Sequence, residues 1–392
     1  MAVNLLAREV SDICLGKPAL RALPVTATVG EALSALKRLG ETYLSVWSCD
    51  HSKITAGGSV DCRCVGKVCI TDVICFLSRE ENLKSPATAL QASATVLIPK
   101  VPGIVRHLEP NASLLEAIDL ILEGAQNLVI PIQTRRSASN SRRNLQQKPS
   151  FNFARHNHRE YCWVTQEDII RYLLNCIGLF SPTPASPINA LNLIDGDNIL
   201  AVNYDDPAAS ALPLISQALA RQTSVAVVDT DGKLIGEISP FTLNSCDETV
   251  AAAIATLSAG DLMAYIDYGG PPEDLVQLMK ERLEQRNCGA LLDLMEEDYS
   301  TISSSSSLCS SSSDDEFGYG KSGRLGGNSA RMVRRSEAIV CHPWSSLVAV
   351  MIQALAHRSS YAWVVEEEGT LMGIVTFAGM LKVFRERLNS MG

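Results

Sequence analysis

A strand–turn–strand–helix pattern occurs twice in the second half of the chain, and this repeat constrains the fold more than any other feature. Residues 361–384 read YAWVVEEEGTLMGIVTFAGMLKVF, in which two apolar runs flank an acidic turn and a helical pattern follows. Residues 224–243, SVAVVDTDGKLIGEISPFTL, have the same order. The turn glycines Gly232 and Gly369 have the same separation as two further pairs, Gly236 with Gly373 and Ser239 with Thr376. A register kept through two strands indicates an internal repeat.

Two earlier stretches carry the helical half of the same unit. Thr28 is followed three residues later by Glu31, ahead of an apolar stripe, and this spacing predicts a capping box that begins a helix. Ser113 and Glu116 repeat the arrangement before the run LLEAIDLIL. An apolar run typical of a strand follows each helix. The first half of the chain therefore contains two more copies of the unit.

Each copy closes with a strand, a hydroxyl residue and a final helix. The hydroxyl residues are Thr71, Thr165, Ser239 and Thr376. This order predicts an α/β (α+β) chain of four βαββα units. A single unit has too little core to stand alone, so we expect the four units to associate as two paired modules.

Composition limits the functional class. The chain has 392 residues, 46% hydrophobic and 20% charged, enough for a globular core and for two to three domains. Its net charge of −9 argues against general nucleic-acid binding. The longest uncharged run, residues 172–194, contains three prolines and predicts a linker without a membrane span. The twelve cysteines and the absence of a long apolar run near residue 1 predict free thiols in a cytoplasmic or nuclear protein.

Interruptions of the repeat predict the domain boundaries. The predicted divisions are unit 1 at 1–76 with an insert at 49–63, unit 2 at 77–180 with a basic insert at 134–160, a linker and unit 3 at 181–244, a helical insert at 245–302, a disordered Ser-, Gly- and Arg-rich linker at 303–336, and unit 4 at 337–392. The Ser-rich linker cannot form a core, because it lacks apolar side chains.

With these repeats in view, the chain resembles proteins built of tandem cystathionine-β-synthase (CBS) domains. It is most similar to the plant CBS-domain-only (CBSX) class with four motifs, and more distantly to the γ regulatory subunits of AMP-activated and SNF1-type kinases. The resemblance covers most of the chain outside the inserts. It implies a non-catalytic regulatory protein with two paired (Bateman) modules.

The resemblance also implies a cleft between paired units that holds AMP, ADP, ATP or S-adenosylmethionine. A Thr or Ser at the end of the last strand, and an Asp three residues later, would contact phosphate and ribose. In this alignment only unit 2 has both, Thr165 and Asp168, because Ile74, Thr242 and Gly379 take the Asp position elsewhere. The nucleotide-binding residues implied are Thr165, Asp168, Thr71, Ser239, Thr376, Gly236 and Gly373. Thr-x-x-Asp is also an ordinary helix cap, so both interpretations stay open.

The γ subunits carry a His-Arg pair before the middle strand that reaches the nucleotide phosphate. The corresponding positions here are uncharged: Thr42-Tyr43, Asn127-Leu128, Thr223-Ser224 and Ser360-Tyr361. His357-Arg358 lies close by but is shifted toward the preceding helix. Weak phosphate binding is therefore expected, which argues against energy sensing of the γ type.

Three hypotheses follow. The first is a nucleotide-binding regulator of a protein partner, such as a kinase catalytic subunit or a metabolic enzyme, with homodimerisation through the modules. The second is an interaction scaffold, or a γ-like kinase subunit, with weak or no nucleotide binding. The third is a metal-binding hairpin formed by Cys49, His51, Cys62 and Cys64; the ligand count suits zinc but the one-residue spacings do not.

Overall fold

Four small sheets of identical topology form the framework of the protein. The computed structural model describes residues 8–50, 61–101, 103–132, 159–267, 272–291 and 338–391. In each three-stranded sheet the first strand runs parallel to the middle strand, which pairs antiparallel with the last. Because a parallel pair needs a crossover, a helix joins the first two strands of every unit. The predicted α/β fold of four βαββα units is confirmed.

The bounds of the elements are as follows. Unit 1 contains β1 (Ala22–Pro24), α1 (Val29–Leu39), β2 (Leu44–Asp50), β3 (Asp61–Val68) and α2 (Ile70–Leu77), followed by α3 (Glu80–Leu83) and α4 (Pro86–Leu90). Unit 2 contains β4 (Val105–His107), α5 (Leu114–Leu122), β5 (Asn127–Ile132), β6 (Glu160–Thr165) and α6 (Gln166–Asn175).

Unit 3 contains β7 (Ala201–Asn203), α7 (Ala208–Arg221), β8 (Val225–Val228), β9 (Leu234–Ile238) and α8 (Pro240–Leu243). Helices α9 (Val250–Thr256), α10 (Ala259–Asp267) and α11 (Glu273–Gln285) follow unit 3. Unit 4 contains β10 (Val340–Cys341), α12 (Leu347–Ala356), β11 (Tyr361–Val365), β12 (Leu371–Thr376) and α13 (Phe377–Met391). The predicted domain boundaries stay a prediction, and the linker 303–336 lies outside the described residues.

Units pair through their sheets, 1 with 2 and 3 with 4. Between units 1 and 2, the Trp47 ring lies 5.0 Å from Tyr161 and 5.8 Å from His107, centroid to centroid. Between units 3 and 4, the two hairpin turns bond to each other, with Leu234 N donating to Gly369 O at 3.1 Å. The two predicted paired modules are therefore present, and units 3 and 4 pair despite the long segment between them.

Helices join the two modules. The helices of units 1 and 3 share one apolar core, and those of units 2 and 4 share another. Helix α9 is buried in the first of these cores, and Arg385 on α13 forms a bidentate ion pair with Asp119 on α5 in the second. Sheet contacts and helix contacts thus alternate around a ring of four units. None of the helices within the described ranges is long and apolar enough to cross a bilayer.

A short stretch before the first strand of each unit crosses to the partner unit and bonds to the start of its first helix. We call these crossing segments: residues 9–17, 93–101, 187–195 and 258–267. Each forms an isolated antiparallel bridge, Glu9 with Ser113, Ser93 with Thr28, Pro187 with Ser346 and Ser258 with Pro207. Sequence reasoning missed these segments and assigned α10, which belongs to the last of them, to an insert.

The crossing segments explain why glycine occupies the last strand of unit 4. A Cβ on Gly373 would lie 2.6 Å from Ile194 Cγ2 and 2.9 Å from the backbone oxygen of Asp195. Gly66 in unit 1 has the same role, because its Cβ would lie 2.7 Å from Ile98 Cγ2. Gly373 allows the partner's backbone to approach closely, and Gly66 leaves room for an isoleucine side chain of the partner.

We therefore expect Gly373→Ala to lower the free energy of unfolding by about 1–3 kcal/mol, the usual cost of overpacking. Urea denaturation followed by circular dichroism measures it. Gly178→Ala is the matched control, since no atom lies within 4 Å of the position of its Cβ. Equal midpoints for the two variants would show that the contact with residues 194–195 is not tight.

Candidate functional site: two clefts and a central cavity

The corner of unit 2 has the predicted Thr165–Asp168 pair. Thr165 is the N-cap of α6, and its backbone N–H donates to Asp168 Oδ2 at 2.8 Å. Its hydroxyl donates to the same oxygen at 2.9 Å. The other carboxylate oxygen lies 2.6 Å from the ammonium of Lys17, on crossing segment 9–17. Both Asp168 oxygens are therefore engaged, and a ribose would have to displace Lys17. We call the corner formed by Thr165, Asp168 and Lys17 the second cleft.

The strand-to-helix corner of unit 1 shows that the sequence alignment assigned the wrong residues to this corner. Val68 lies opposite Leu44, just as Val164 lies opposite Leu128, so Cys69 is the counterpart of Thr165. Cys69 is the N-cap of α2, and its N–H donates to Asp72 Oδ2 at 2.8 Å. Asp72 therefore corresponds to Asp168, and the assignment of Ile74 to that position was wrong.

Thr71 is not at the strand-to-helix corner. It lies in the first turn of α2, fully buried, and its hydroxyl donates to Pro240 O of unit 3 at 2.7 Å. The Thr71 side chain therefore contacts the other module and does not face a cleft. The sequence alignment matched hydroxyl residues, whereas unit 1 uses a cysteine as the cap.

A cavity of about 220 Å³ opens beside Asp72, and we call it the first cleft. Its apolar walls come from the crossing segment of unit 2 and from the start of that unit, with Ile98, Val101, Ile104 and Val105. Its polar end comes from unit 1, with Tyr43, Lys67, Cys69 and Asp72. An apolar pocket with a few convergent polar groups is typical of small-molecule sites.

Burial perturbs the ionisable groups at this polar end. It raises the pKa of the Asp72 carboxyl to about 6, against the lowering effects of its hydrogen bond from Cys69 and of the Lys67 charge. Burial also lowers the pKa of Lys67, whose ammonium lies 4.6 Å from the centroid of the Tyr43 ring. Desolvation favours the neutral form of the Asp72 carboxyl. A ligand that donates hydrogen bonds to this group would counteract desolvation and favour the charged form.

The corners of units 3 and 4 lie where the sequence predicts them. Ser239 is the N-cap of α8 and accepts from Phe241 N at 3.3 Å, and Thr376 accepts from Gly379 N at 3.1 Å. Gly236 and Gly373 are buried in β9 and β12. Nucleotide contact at these four residues stays a prediction.

The space between the sheets of units 3 and 4 is occupied by side chains. Glu237, 1% exposed, accepts hydrogen bonds from the Tyr361 hydroxyl at 2.9 Å and from Trp363 Nε1 at 2.7 Å. Trp363 is completely buried there. Module 3–4 therefore differs from module 1–2, where Lys67 takes the position of Glu237 and borders an open cleft.

A second cavity of about 490 Å³ lies where all four units meet, and we call it the central cavity. It shares Tyr43, Lys67 and Leu219 with the first cleft, so the two spaces adjoin. Its wall also includes the capping residues Thr165 and Ser239.

Basic residues converge on the central cavity. Lys67, Arg171 and Arg358 line it, with Glu167 as the acidic partner of Arg171. Arg358 follows α12 with φ 53°, in the left-handed region, and this backbone turn brings it to the cavity. Arg358 therefore reaches the central cavity although it is shifted toward the preceding helix, and its contact with phosphate stays a prediction.

Two buried polar atoms at the central cavity lack hydrogen-bond partners among the described residues. They are Nδ2 of Asn127, which is 3% exposed, and Oγ of Ser359, which is 2% exposed. Both residues line the cavity. Buried donors without partners are costly, so a polar ligand in this space would relieve both.

The predicted metal hairpin is only partly described. Cys49 lies opposite Cys62 in the β2–β3 ladder, while the Cys64 N–H donates to His107 Nε2 at 3.0 Å. His51 lies outside the described residues. Within the described part of the chain, no group of three or more His, Cys, Asp or Glu residues is arranged to hold a metal ion.

Comparisons with known proteins identify relatives of the whole chain. No family model matches it. The CBS domain-containing protein CBSX5 of Arabidopsis thaliana is 48% identical over 400 residues, which cover 100% of both chains. CBSX6 of the same plant is 24% identical, over 97% of this chain and 94% of that protein. The solved structure of MJ1225 from Methanocaldococcus jannaschii, a proposed archaeal homologue of γ-AMPK, covers 96% of this chain and 100% of its own, with TM-score 0.53 and 15% identity, and shows a shared fold.

The raised pKa of Asp72 predicts how stability depends on pH. The folded protein holds the proton of this carboxyl more tightly than the unfolded chain, because the pKa rises from 3.8 to about 6 on folding. This contribution to stability is therefore full below about pH 4 and is lost as the pH rises through about 6. The free energy of unfolding should fall by on the order of 1–3 kcal/mol over this pH range.

Urea unfolding of wild type and of Asp72→Asn between pH 4 and 7 tests this expectation. The free energy of unfolding of wild type relative to the variant should fall across this range. Asp231→Asn, on the exposed β8–β9 turn, removes one charge elsewhere and serves as control. A difference that stays constant with pH would contradict the shift.

Proposed function

Since the chain belongs to the CBSX family of CBS-domain proteins, we propose that it is a non-catalytic regulatory protein that binds an adenosine nucleotide in the first cleft. The observation that carries the proposal is Asp72, a carboxylate at the start of α2 that borders a cavity with apolar walls. A carboxylate can accept both ribose hydroxyls, while apolar side chains pack against the two faces of a base. The second cleft is the weaker candidate, because Lys17 holds Asp168.

The phosphates would lie in the central cavity. Lys67 borders both spaces, so a nucleotide with its ribose at Asp72 can extend its phosphates past Lys67. Arg358 and Arg171 supply further positive charge, and Asn127 supplies an unpartnered donor. Charge-assisted hydrogen bonds to phosphate are among the stronger polar contacts in proteins.

Binding at this place would couple the two modules. The first cleft lies between units 1 and 2, and the central cavity is lined by residues of units 1 to 4. A ligand that contacts several units stabilises their arrangement by an amount set by its concentration relative to its Kd. A partner that recognises the assembled ring would respond to that change. We propose a kinase catalytic subunit or a metabolic enzyme as the partner class; cytoplasmic or nuclear location and homodimerisation stay predictions.

Asp72→Asn is expected to weaken binding of AMP, ADP or ATP by roughly 10- to 100-fold. The expectation rests on about 1.5–3 kcal/mol for a hydrogen bond to a charged group. Asparagine keeps an acceptor for the Cys69 N–H, so the helix cap persists. Isothermal titration calorimetry with the full chain measures the Kd values, and S-adenosylmethionine is included as a fourth ligand.

Asp168→Asn is the matched control and should leave the affinity unchanged. Loss of binding in Asp168→Asn but not in Asp72→Asn would move the ligand to the second cleft. If none of the four ligands binds wild type at millimolar concentration, nucleotide regulation is wrong and the interaction scaffold becomes the better hypothesis.

Arg358→Gln separates phosphate contact from adenosine contact. We expect it to weaken AMP and ATP binding by about 10-fold or more, since it removes a charged partner of the phosphate. Adenosine, which has no phosphate, should bind the variant and wild type equally. Lys382→Gln on the exposed side of α13 makes the same change in net charge away from the cavity. An equal loss for adenosine and AMP would show that Arg358 acts through the fold instead.

A further inference from the structure

Two cysteine thiols contact each other beside the second cleft. Cys14 lies on crossing segment 9–17 and Cys162 lies on β6 of unit 2. Both side chains pack in the core shared by units 2 and 4, close enough that each thiol shifts the pKa of the other. The cap pair Thr165–Asp168 follows Cys162 on the same strand-to-helix corner.

The repeat shows that this contact comes from the architecture. Cys162 lies opposite Ile130, the register position that Gly66 and Gly373 hold in units 1 and 4. At both glycines a residue of a crossing segment occupies the space that a Cβ would take. Cys14 follows its bridge residue Glu9 by five positions, as Ile98 follows Ser93. Unit 2 thus places two sulfurs where unit 1 places an isoleucine over a glycine.

The two thiols have different reactivity. The hydrogen bond from Cys162, together with the charge of Lys17, lowers the pKa of Cys14. Burial and the proton shared with Cys14 raise the pKa of Cys162. Cys14 is therefore the thiol that ionises first, and the thiolate is the nucleophile in thiol–disulfide exchange.

A reagent can approach Cys14 from the surface turn. Cys14 itself is 8% exposed, but Leu15 beside it is 82% exposed. Gly16 follows with φ +80°, and no atom lies within 4 Å of the position that a Cβ would take. A disulfide requires the two sulfurs to lie about 2.05 Å apart, and movement of this turn would bring them to that distance.

We propose that Cys14 and Cys162 form a reversible disulfide by exchange with a low-molecular-weight disulfide. The Cys14 thiolate attacks one sulfur of the reagent, forms a mixed disulfide and releases one thiolate. Cys162, after losing its proton to solvent, attacks Cys14 Sγ and releases the second thiolate. Two electrons pass from the cysteine pair to the reagent, which leaves as two thiols, and a reducing dithiol reverses the reaction.

The disulfide would keep the second cleft closed. Lys17 lies three residues beyond Cys14 and holds Asp168 at 2.6 Å. Tying Cys14 to β6 fixes the turn that carries Lys17, so the ammonium stays on the carboxylate. In the reduced protein the turn is free of this tie, and Lys17 can leave Asp168. The second cleft is thereby controlled by redox state, independently of any nucleotide in the first cleft.

Peptide mapping of the full chain tests the disulfide. The protein is equilibrated with glutathione disulfide and glutathione at several ratios, free thiols are alkylated, and the digest is analysed without reduction. We expect a cross-linked peptide that joins Cys14 to Cys162, lighter by two hydrogens than the reduced pair, and lost after treatment with dithiothreitol. Cys176→Ser, at a partly exposed cysteine, should leave the cross-link unchanged.

The opposite outcomes are equally clear. Cys14 and Cys162 that stay fully alkylatable at every ratio would overturn the proposal. So would a glutathione adduct on Cys14 that never resolves, or oxidation confined to the opposed pair Cys49 and Cys62. The cross-link is measured in the wild-type protein. A folding defect in Cys14→Ser or Cys162→Ser therefore cannot produce these results.

Amine labelling tests the closure of the second cleft. An N-hydroxysuccinimide ester should modify Lys17 several-fold more slowly in the oxidised protein than in the reduced protein. The exposed Lys233, on the β8–β9 turn, should react equally in both. Equal labelling of Lys17 in the two states would show that the disulfide does not hold the lysine.

Discussion

The structure depends on reciprocal backbone hydrogen bonds between partner units at the start of each first helix. The N–H of Val29 donates to Ala92 O at 2.8 Å, and Ala94 N returns a bond to Ala27 O at 2.8 Å. Comparable pairs join the other three helix starts to their crossing segments. The first N–H groups of a helix have no partner within it, so each unit needs its neighbour to satisfy them. Pairing is therefore built into the backbone, and side chains are left to vary.

This arrangement places each cleft between a corner whose geometry is repeated in every unit and a crossing segment whose side chains differ from unit to unit. The corner of a unit offers a capped helix start, and the crossing segment of the partner lies over it. In unit 1 the segment contributes Ile98 and an open cavity remains beside Asp72. In unit 2 it contributes Cys14 and Lys17, which engage the strand and the carboxylate. Four equal backbones thus produce sites of different chemistry.

The repeat and the helix caps were readable from the sequence, because turn glycines and capping boxes act over a few residues. The capping box of Thr28 and Glu31 forms as expected, with bonds of 3.2 and 2.9 Å. Asp72 was missed because Cys69 replaces the hydroxyl cap that the alignment followed. The place of Arg358 at the central cavity was not predicted, because a single left-handed residue changes the chain direction after α12. The crossing segments carry no local signal, since their bonds join residues far apart in sequence.

The two carboxylates of module 1–2 show how one position acquires two roles. Both accept a bond from the N–H of their own cap at 2.8 Å. Asp168 has its second oxygen 2.6 Å from Lys17, so its charge is compensated within the protein. Asp72 instead has a pKa raised to about 6 by burial, which means that the protein compensates its charge poorly. A buried carboxylate of this kind gains most from an external donor, since ligand hydrogen bonds offset a desolvation cost that folding has already imposed. The same reasoning makes Asp168 a poor ligand site for as long as the turn at Cys14 keeps Lys17 in place.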